Sequence, residues 1–140
     1  MGALRKLRRK GHRSEYEVEP LRGTEASPYR KMSEVLLDFA RPLLDIIGEE
    51  EFENVIGFAG LCWNVSFSPE NEQMREILSI INKLGKPKSF EHLPLEDYAK
   101  MLLNRKKEFF ANDNRILVDY KIVEDGGKER LLVVSAPAKE

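Results

Sequence analysis

The side chains able to do acid–base, nucleophilic or metal chemistry are few in this chain, and they are scattered. Two histidines, His12 and His92, and one cysteine, Cys62, occur among the 140 residues. His92 has Glu91, Glu96 and Asp97 close by in sequence, a grouping that would make a weak metal or acid–base cluster. A transition-metal ligand set wants further imidazole or thiolate donors, and none stands near. His92 therefore reads as a surface histidine ahead of a helix whose first turn is acidic, where carboxylates suit the helix dipole. Cys62 recurs at helical spacing with Phe52, Val55, Ile56, Ala59 and Trp63, which predicts a buried, protonated and inert thiol. A single cysteine allows no intrachain disulfide and no cysteine-built zinc site. Catalysis by proton transfer or by a covalent intermediate needs more than one positioned group. The sequence thus predicts no enzyme, no metal and no cofactor.

Two other constellations are candidates for binding. Glu53, Gly57, Gly60 and Asn64 are spaced so that a helix would carry them in one stripe. Glycines at the middle and polar residues at the ends make a shallow groove, with Trp63 and Asn64 at its mouth. Such a groove would take a small ligand or a partner's side chain. The competing reading is that the glycines admit a neighbouring helix and Asn64 bonds to its backbone. The second constellation is basic. Arg5, Lys6, Arg8, Arg9, Lys10 and Arg13 all precede the first acid, Glu15. These six of the 23 basic residues leave 17 against 24 acids, so a net charge of −1 divides into +6 and −7. A tail of this kind binds phosphate weakly and in a salt-sensitive way, and the acidic remainder would repel nucleic acid. The same charge would also dock the tail on an acidic protein surface, its own or a partner's; the competing reading is a solvated tail, or an over-extended start ahead of a true start near Met32.

The elements that must position these residues follow from hydrophobic period. The length fits one domain with a single core, and 41% hydrophobic with 34% charged residues fits a soluble globular composition. Residues 1–26 have few apolar anchors and read as a mobile basic arm; residues 27–140 form the domain. Ser27 as N-cap and Pro28 in the first turn open a first helix. Met32, Val35, Leu36, Phe39, Leu43 and Leu44 recur along it at steps of three and four residues. Pro42 lies inside that pattern, removes the amide that would bond the carbonyl of Asp38, and predicts a kink there. Gly48 ends the helix. A second helix opens with Glu49, Glu50 and Glu51, which suit the positive end of its dipole; it is apolar on almost every side except the glycine stripe, and so belongs at the centre of the core. Ser68 and Pro69 start a third, with Met74, Ile77, Leu78, Ile81 and Leu84 inward. Pro94 starts a fourth, with Leu95, Tyr98, Ala99, Leu102, Phe109 and Phe110 inward.

After Asn112-Asp113-Asn114 the period shortens to two. Ile116, Val118, Tyr120 and Ile122 alternate along a strand, Gly126-Gly127 form a tight turn, and Leu131 to Ser135 return. That turn places Ile122 opposite Leu131 and Tyr120 opposite Val133. The predicted fold class is α+β, mostly α: about four helices followed by a C-terminal antiparallel β-hairpin spanning 115–136.

The phrase from Lys31 through Met32-Ser33-Glu34-Val35-Leu36-Leu37-Asp38-Phe39-Ala40-Arg41-Pro42-Leu43-Leu44-Asp45, then an acidic patch and Cys62-Trp63-Asn64-Val65-Ser66, resembles a known domain. It is similar to an uncharacterised helical domain of bacterial proteins, which in some of them precedes a cysteine-rich SEC-C zinc motif. The likeness covers Lys31 to Glu70. This chain departs from the zinc-bearing members, having no Cys-x-Cys and ending in a hairpin, so no metal is carried over. The resemblance implies a cytoplasmic bacterial accessory domain with no activity attached.

No apolar run approaches the ~20 residues that span a bilayer. The basic start lacks the apolar region of a secretory signal. The functional expectation is a small cytoplasmic interaction or accessory module, protein-binding and non-catalytic. It would act through helix surfaces and through the hairpin edge, which would pair across a two-fold axis as a homodimer. The alternative is a nucleic-acid-associated regulator using the basic arm.

Overall fold

The computed structural model describes residues 30–138, and the arm expected over residues 1–26 lies outside them. The elements are α1 (Met32–Ile47), a 3-10 turn (Glu49–Glu51), α2 (Phe52–Val65), α3 (Glu70–Leu84), a second 3-10 turn (Lys88–Phe90), α4 (Leu95–Phe109), β1 (Arg115–Asp125) and β2 (Lys128–Pro137). Four helices followed by one antiparallel hairpin make an α+β fold, mostly α, as the periodicities predict. None of the described helices is long and apolar enough to cross a membrane.

Helix α2 forms the centre because hardly any of its surface is polar. Phe52, Val55, Ile56, Ala59, Cys62 and Trp63 are all buried against neighbours, and α1, α3, α4 and β1 each pack on it. Burial of each large side chain contributes about 1.5–3 kcal/mol before conformational entropy is set against it. Three rings close the end of the core where α4 hands over to the hairpin. Phe39 meets Trp63 edge-on at 5.1 Å between centroids and Phe110 at 5.6 Å, and Trp63 meets Phe110 at 5.8 Å. These are the edge-to-face arrangements that ring quadrupoles favour.

Helix α1 begins at Met32, with Lys31 extended at φ −59° and ψ 139°; the cap and first turn expected at Ser27 and Pro28 lie outside the described residues. The chain ahead of it is drawn aside: the Arg30 guanidinium faces the Asp38 carboxylate at 3.4 Å. The Arg30 carbonyl accepts from Arg115 Nη1 at 2.9 Å. Pro42 sits within the helix, and the carbonyl it deprives of a helical partner is served from α4. Arg105 Nη2 donates to Asp38 O at 2.9 Å, and Arg105 Nε to Phe39 O at 3.2 Å.

Expectations for the third and fourth helices are corrected. In α3, Ile77 and Gln73 are the buried residues, while Leu78 and Leu84 are exposed, Leu84 at 79%. The hairpin packs on α1 and α2, while α3 packs mainly on α2 and α4, and one of its apolar flanks stays open. Ser68 does not cap α3 with its side chain; its hydroxyl donates to Glu76 at 2.9 Å. Buried Gln73 instead ties the loop, donating to the carbonyls of Ser66 and Ser68 at 3.1 and 2.9 Å. In α4, Phe110 turns inward but Phe109 is 67% exposed. The helix stops at Phe109, and Phe110 at φ −131° breaks the period.

The hairpin turns on Gly126 and Gly127, both at positive φ (63° and 84°), the left-handed pair that matches strand twist. Tyr120 pairs with Val133 and Ile122 with Leu131, the register expected from sequence. The simple alternation through Ile116 and Val118 is corrected, because Val118 is a β-bulge. Leu117 pairs with Ser135 and Asp119 with Val134, leaving Val118 without a partner. The extra residue changes the phase, so Leu117 and not Val118 joins the core, and Val118 stands 60% exposed.

Candidate functional site

The glycine stripe of α2 is the seat of β1. A Cβ built on Gly57 would lie 2.8 Å from the Tyr120 hydroxyl, and one on Gly60 would lie 3.2 Å from Leu117 Cδ1. The missing side chains therefore let a strand approach, where the competing reading of the sequence named a helix. Asn64 completes the contact as though it were one residue of a neighbouring strand. Its Nδ2 donates to Leu117 O at 3.0 Å, and its Oδ1 accepts from Leu117 N–H at 2.8 Å. Glu53, at the other end, is exposed.

Trp63 is not at the mouth of a groove. It is fully buried, and its indole N–H donates to Arg115 O at 2.7 Å. Lys106, in the last turn of α4, is 5% exposed. Its Nζ lies 4.7 Å from the Trp63 ring centre and 4.8 Å from that of Phe67. The same ammonium donates to Phe110 O at 3.0 Å and Asp113 O at 3.2 Å. Burial lowers its pKa, and the Asp113 carboxylate opposes that. Asp113 in turn holds Arg115 through paired bonds of 2.9 and 2.6 Å. These charges lock the corner between α4 and β1, which is architecture.

What the stripe leaves uncovered is a cleft. Of about 750 Å³, it lies between α2, the open flank of α3 and the start of β1, within the usual size range of binding pockets. Its walls are mainly apolar, with Phe58, Leu61, Ile81 and Leu117 contributing, and the exposed Leu84 and Val118 line it from α3 and β1. Three carboxylates line it, Glu53, Glu76 and Asp119, against one lysine, Lys86. The field of two of them is felt at the Tyr120 phenol, whose pKa is raised first by burial and then by Glu53 and Asp119. Part of the backbone of the β1 segment that lines it is engaged: Asn64 takes both groups of Leu117, and the Tyr120 N–H donates to Asp119 Oδ1 at 2.9 Å.

Sequence reasoning found Glu53, Gly57, Gly60 and Asn64 but missed Leu84, Val118, Asp119 and Tyr120. Alternation assigned Val118 to the core face, and amphipathic period did the same for Leu84; only the bulge and the position of the hairpin turn both toward the cleft. The basic residues Arg5, Lys6, Arg8, Arg9, Lys10 and Arg13 lie outside the described residues.

His92 is exposed in the turn before α4, and among the described residues no group of three His, Cys, Asp or Glu side chains could hold a metal ion. Cys62 is fully buried, and burial pushes its thiol from an ordinary 9.0 up to about 12. The unfolded thiol ionises near pH 9 while the folded one does not. Between about pH 9 and 12 the unfolded state therefore binds fewer protons, and stability falls as pH rises. Denaturant midpoints measured across that range should fall faster in the wild type than in Cys62→Ala; parallel curves would contradict the assignment.

Fold and cleft together define a class: a helical α+β domain whose C-terminal hairpin is seated on a glycine-lined central helix. No protein-family model, no curated protein and no solved structure matches the chain.

Proposed function

We propose that this chain is a small, non-catalytic interaction module of the cytoplasm, and that its cleft takes a peptide segment of a partner protein carrying basic residues beside apolar ones. The supporting observation is the chemistry of the cleft. Apolar walls give an occupant surface to bury, and Glu53, Glu76 and Asp119 outnumber Lys86 among the residues that line it. Apolar contact supplies most of the affinity, while the carboxylates select sign and speed the encounter. Asn64 and Asp119 engage the Leu117 backbone and the Tyr120 N–H there, which favours recognition through side chains over strand addition.

The test is selection of short random peptides on the full chain, in parallel with a full chain whose Arg5, Lys6, Arg8, Arg9, Lys10 and Arg13 are changed to serine. Enriched sequences should combine Lys or Arg with Leu, Ile or Phe. Their affinity should fall about tenfold, near 1.4 kcal/mol, in Leu84→Asp/Val118→Asp, two exposed positions whose replacement leaves the core intact. Failure to enrich on either form, or binding indifferent to the double variant, would overturn the reading.

A further inference from the structure

We propose that the basic segment near the start of this same chain, Leu4 to Arg13, is an occupant of the cleft, so that the module is held closed by its own arm until a partner displaces it. The inference rests on the cleft being a peptide site, as proposed above, and adds the identity of one occupant. Four observations favour it. The segment has the required chemistry, with Leu4 and Leu7 set among Arg5, Lys6, Arg8, Arg9 and Lys10. Its charge of +6 faces a remainder of −7, and the cleft is lined by three carboxylates and a single lysine. The apolar flank of α3 at Leu84 and the bulge at Val118 are left without a cover from the described residues. Reach is ample, since the chain between Arg13 and Arg30 spans about 55 Å when extended, against a radius of gyration of about 13 Å for a domain of this size.

Tethering changes the energetics of a contact that would be weak between separate molecules. A short linker presents its ligand at an effective concentration on the order of millimolar. A site of only modest intrinsic affinity for the arm is then occupied most of the time. A competing peptide must outbid that concentration, so its apparent affinity falls by the occupied-to-free ratio. The acidic lining makes the closed form salt-sensitive, because exposed charges are screened within a Debye length.

The experiment uses the full chain, treated with a carbodiimide that joins amines to carboxylates without a spacer, followed by peptide mass mapping. The expected products join Lys6 or Lys10 to Glu53, Glu76 or Asp119. Their yield should drop several-fold at about 0.5 M salt, where the Debye length is near ~4 Å. It should also drop several-fold in Leu4→Ser/Leu7→Ser, which leaves the charge of the arm unchanged, whereas a tail that merely hovers over acids would lose far less. The peptides selected above should bind the arm-neutralised chain about tenfold more tightly than the wild type. Equal affinity for both forms would overturn the arm assignment while leaving the cleft a peptide site; failure to bind either form would remove both. Links scattered evenly over Glu34, Glu96 and Glu108 would overturn it as well. So would links found only between isotopically light and heavy copies, which mean exchange between molecules. Retardation of a short DNA or RNA duplex that depends on the arm, with no links to the cleft, would assign the arm to nucleic acid instead.

Discussion

Asn64→Ala should lower the stability of the domain by about 2–4 kcal/mol, because one carboxamide serves both backbone groups of Leu117. Its donor bond is 3.0 Å and its acceptor bond 2.8 Å, and Leu117 itself is buried in the core. A buried backbone N–H or C=O left without a partner costs about 1–3 kcal/mol, and alanine at 64 leaves one of each. The methyl group cannot recover this, and water entering from the cleft, which Asn64 and Leu117 line, would compensate only in part, which sets the expected loss below the sum of two full penalties. Denaturant unfolding reads the loss directly. Hydrogen exchange at the Leu117 amide should accelerate more than exchange in α1, because the hairpin seat opens first. Asn64→Asp keeps the acceptor but sets a carboxylate against Leu117 O, so it should be as damaging at neutral pH and partly recover as acid restores a donor. An unchanged midpoint in both variants would mean that the hairpin is held by its side-chain packing alone.

Much of this architecture is legible from local pattern, and the places where it is not share a cause. The helix periods, the Gly126-Gly127 turn and the Tyr120 to Val133 register follow from neighbours in sequence, and the described residues bear them out. The stripe Glu53, Gly57, Gly60 and Asn64 was visible too, but not what lies on it. A helix and a strand both want small residues where they approach closely, and nothing local separates them. Val118, Leu84 and Phe109 were all assigned to the core because each is apolar and in phase. Their exposure is decided by a bulge at Val118, by where the hairpin packs, and by the break in the helix at Phe110, none of which has a signature in the apolar pattern. Lys106 is the reverse case. Its burial depends on Trp63 and Phe67 arriving from another helix and its loop, and a lysine near a helix end carries no mark of that. Two of these residues, Leu84 and Val118, line the cleft, which exists in part because apolar side chains that pattern places inside remain outside.

The other large effect should be found at Arg105, and it depends on a proline in a different helix. Arg105→Met should cost about 2–3 kcal/mol in the wild type, since bonds from a charged group contribute about 1.5–3 kcal/mol and the guanidinium donates to the carbonyls of both Asp38 and Phe39. The first of these carbonyls is the one that Pro42 strips of its helical amide. Pro42→Ala returns that amide, so in its background Asp38 O keeps a partner when Arg105 is lost. The penalty for Arg105→Met should then shrink by about 1 kcal/mol, a coupling of the size seen for residues sharing a partner. It should not vanish. Arg105 also approaches the Asp38 carboxylate at 3.4 Å and lies over the rings of Phe109 and Phe110 at 5.5 and 5.6 Å, contacts that the alanine does not restore. Arg105→Lys should behave much like methionine toward the carbonyls, because an ammonium cannot present the planar fork that spans them. Equal penalties in the two backgrounds would show that Arg105 stabilises the fold through its rings and the carboxylate, with the Asp38 carbonyl contributing nothing to the balance.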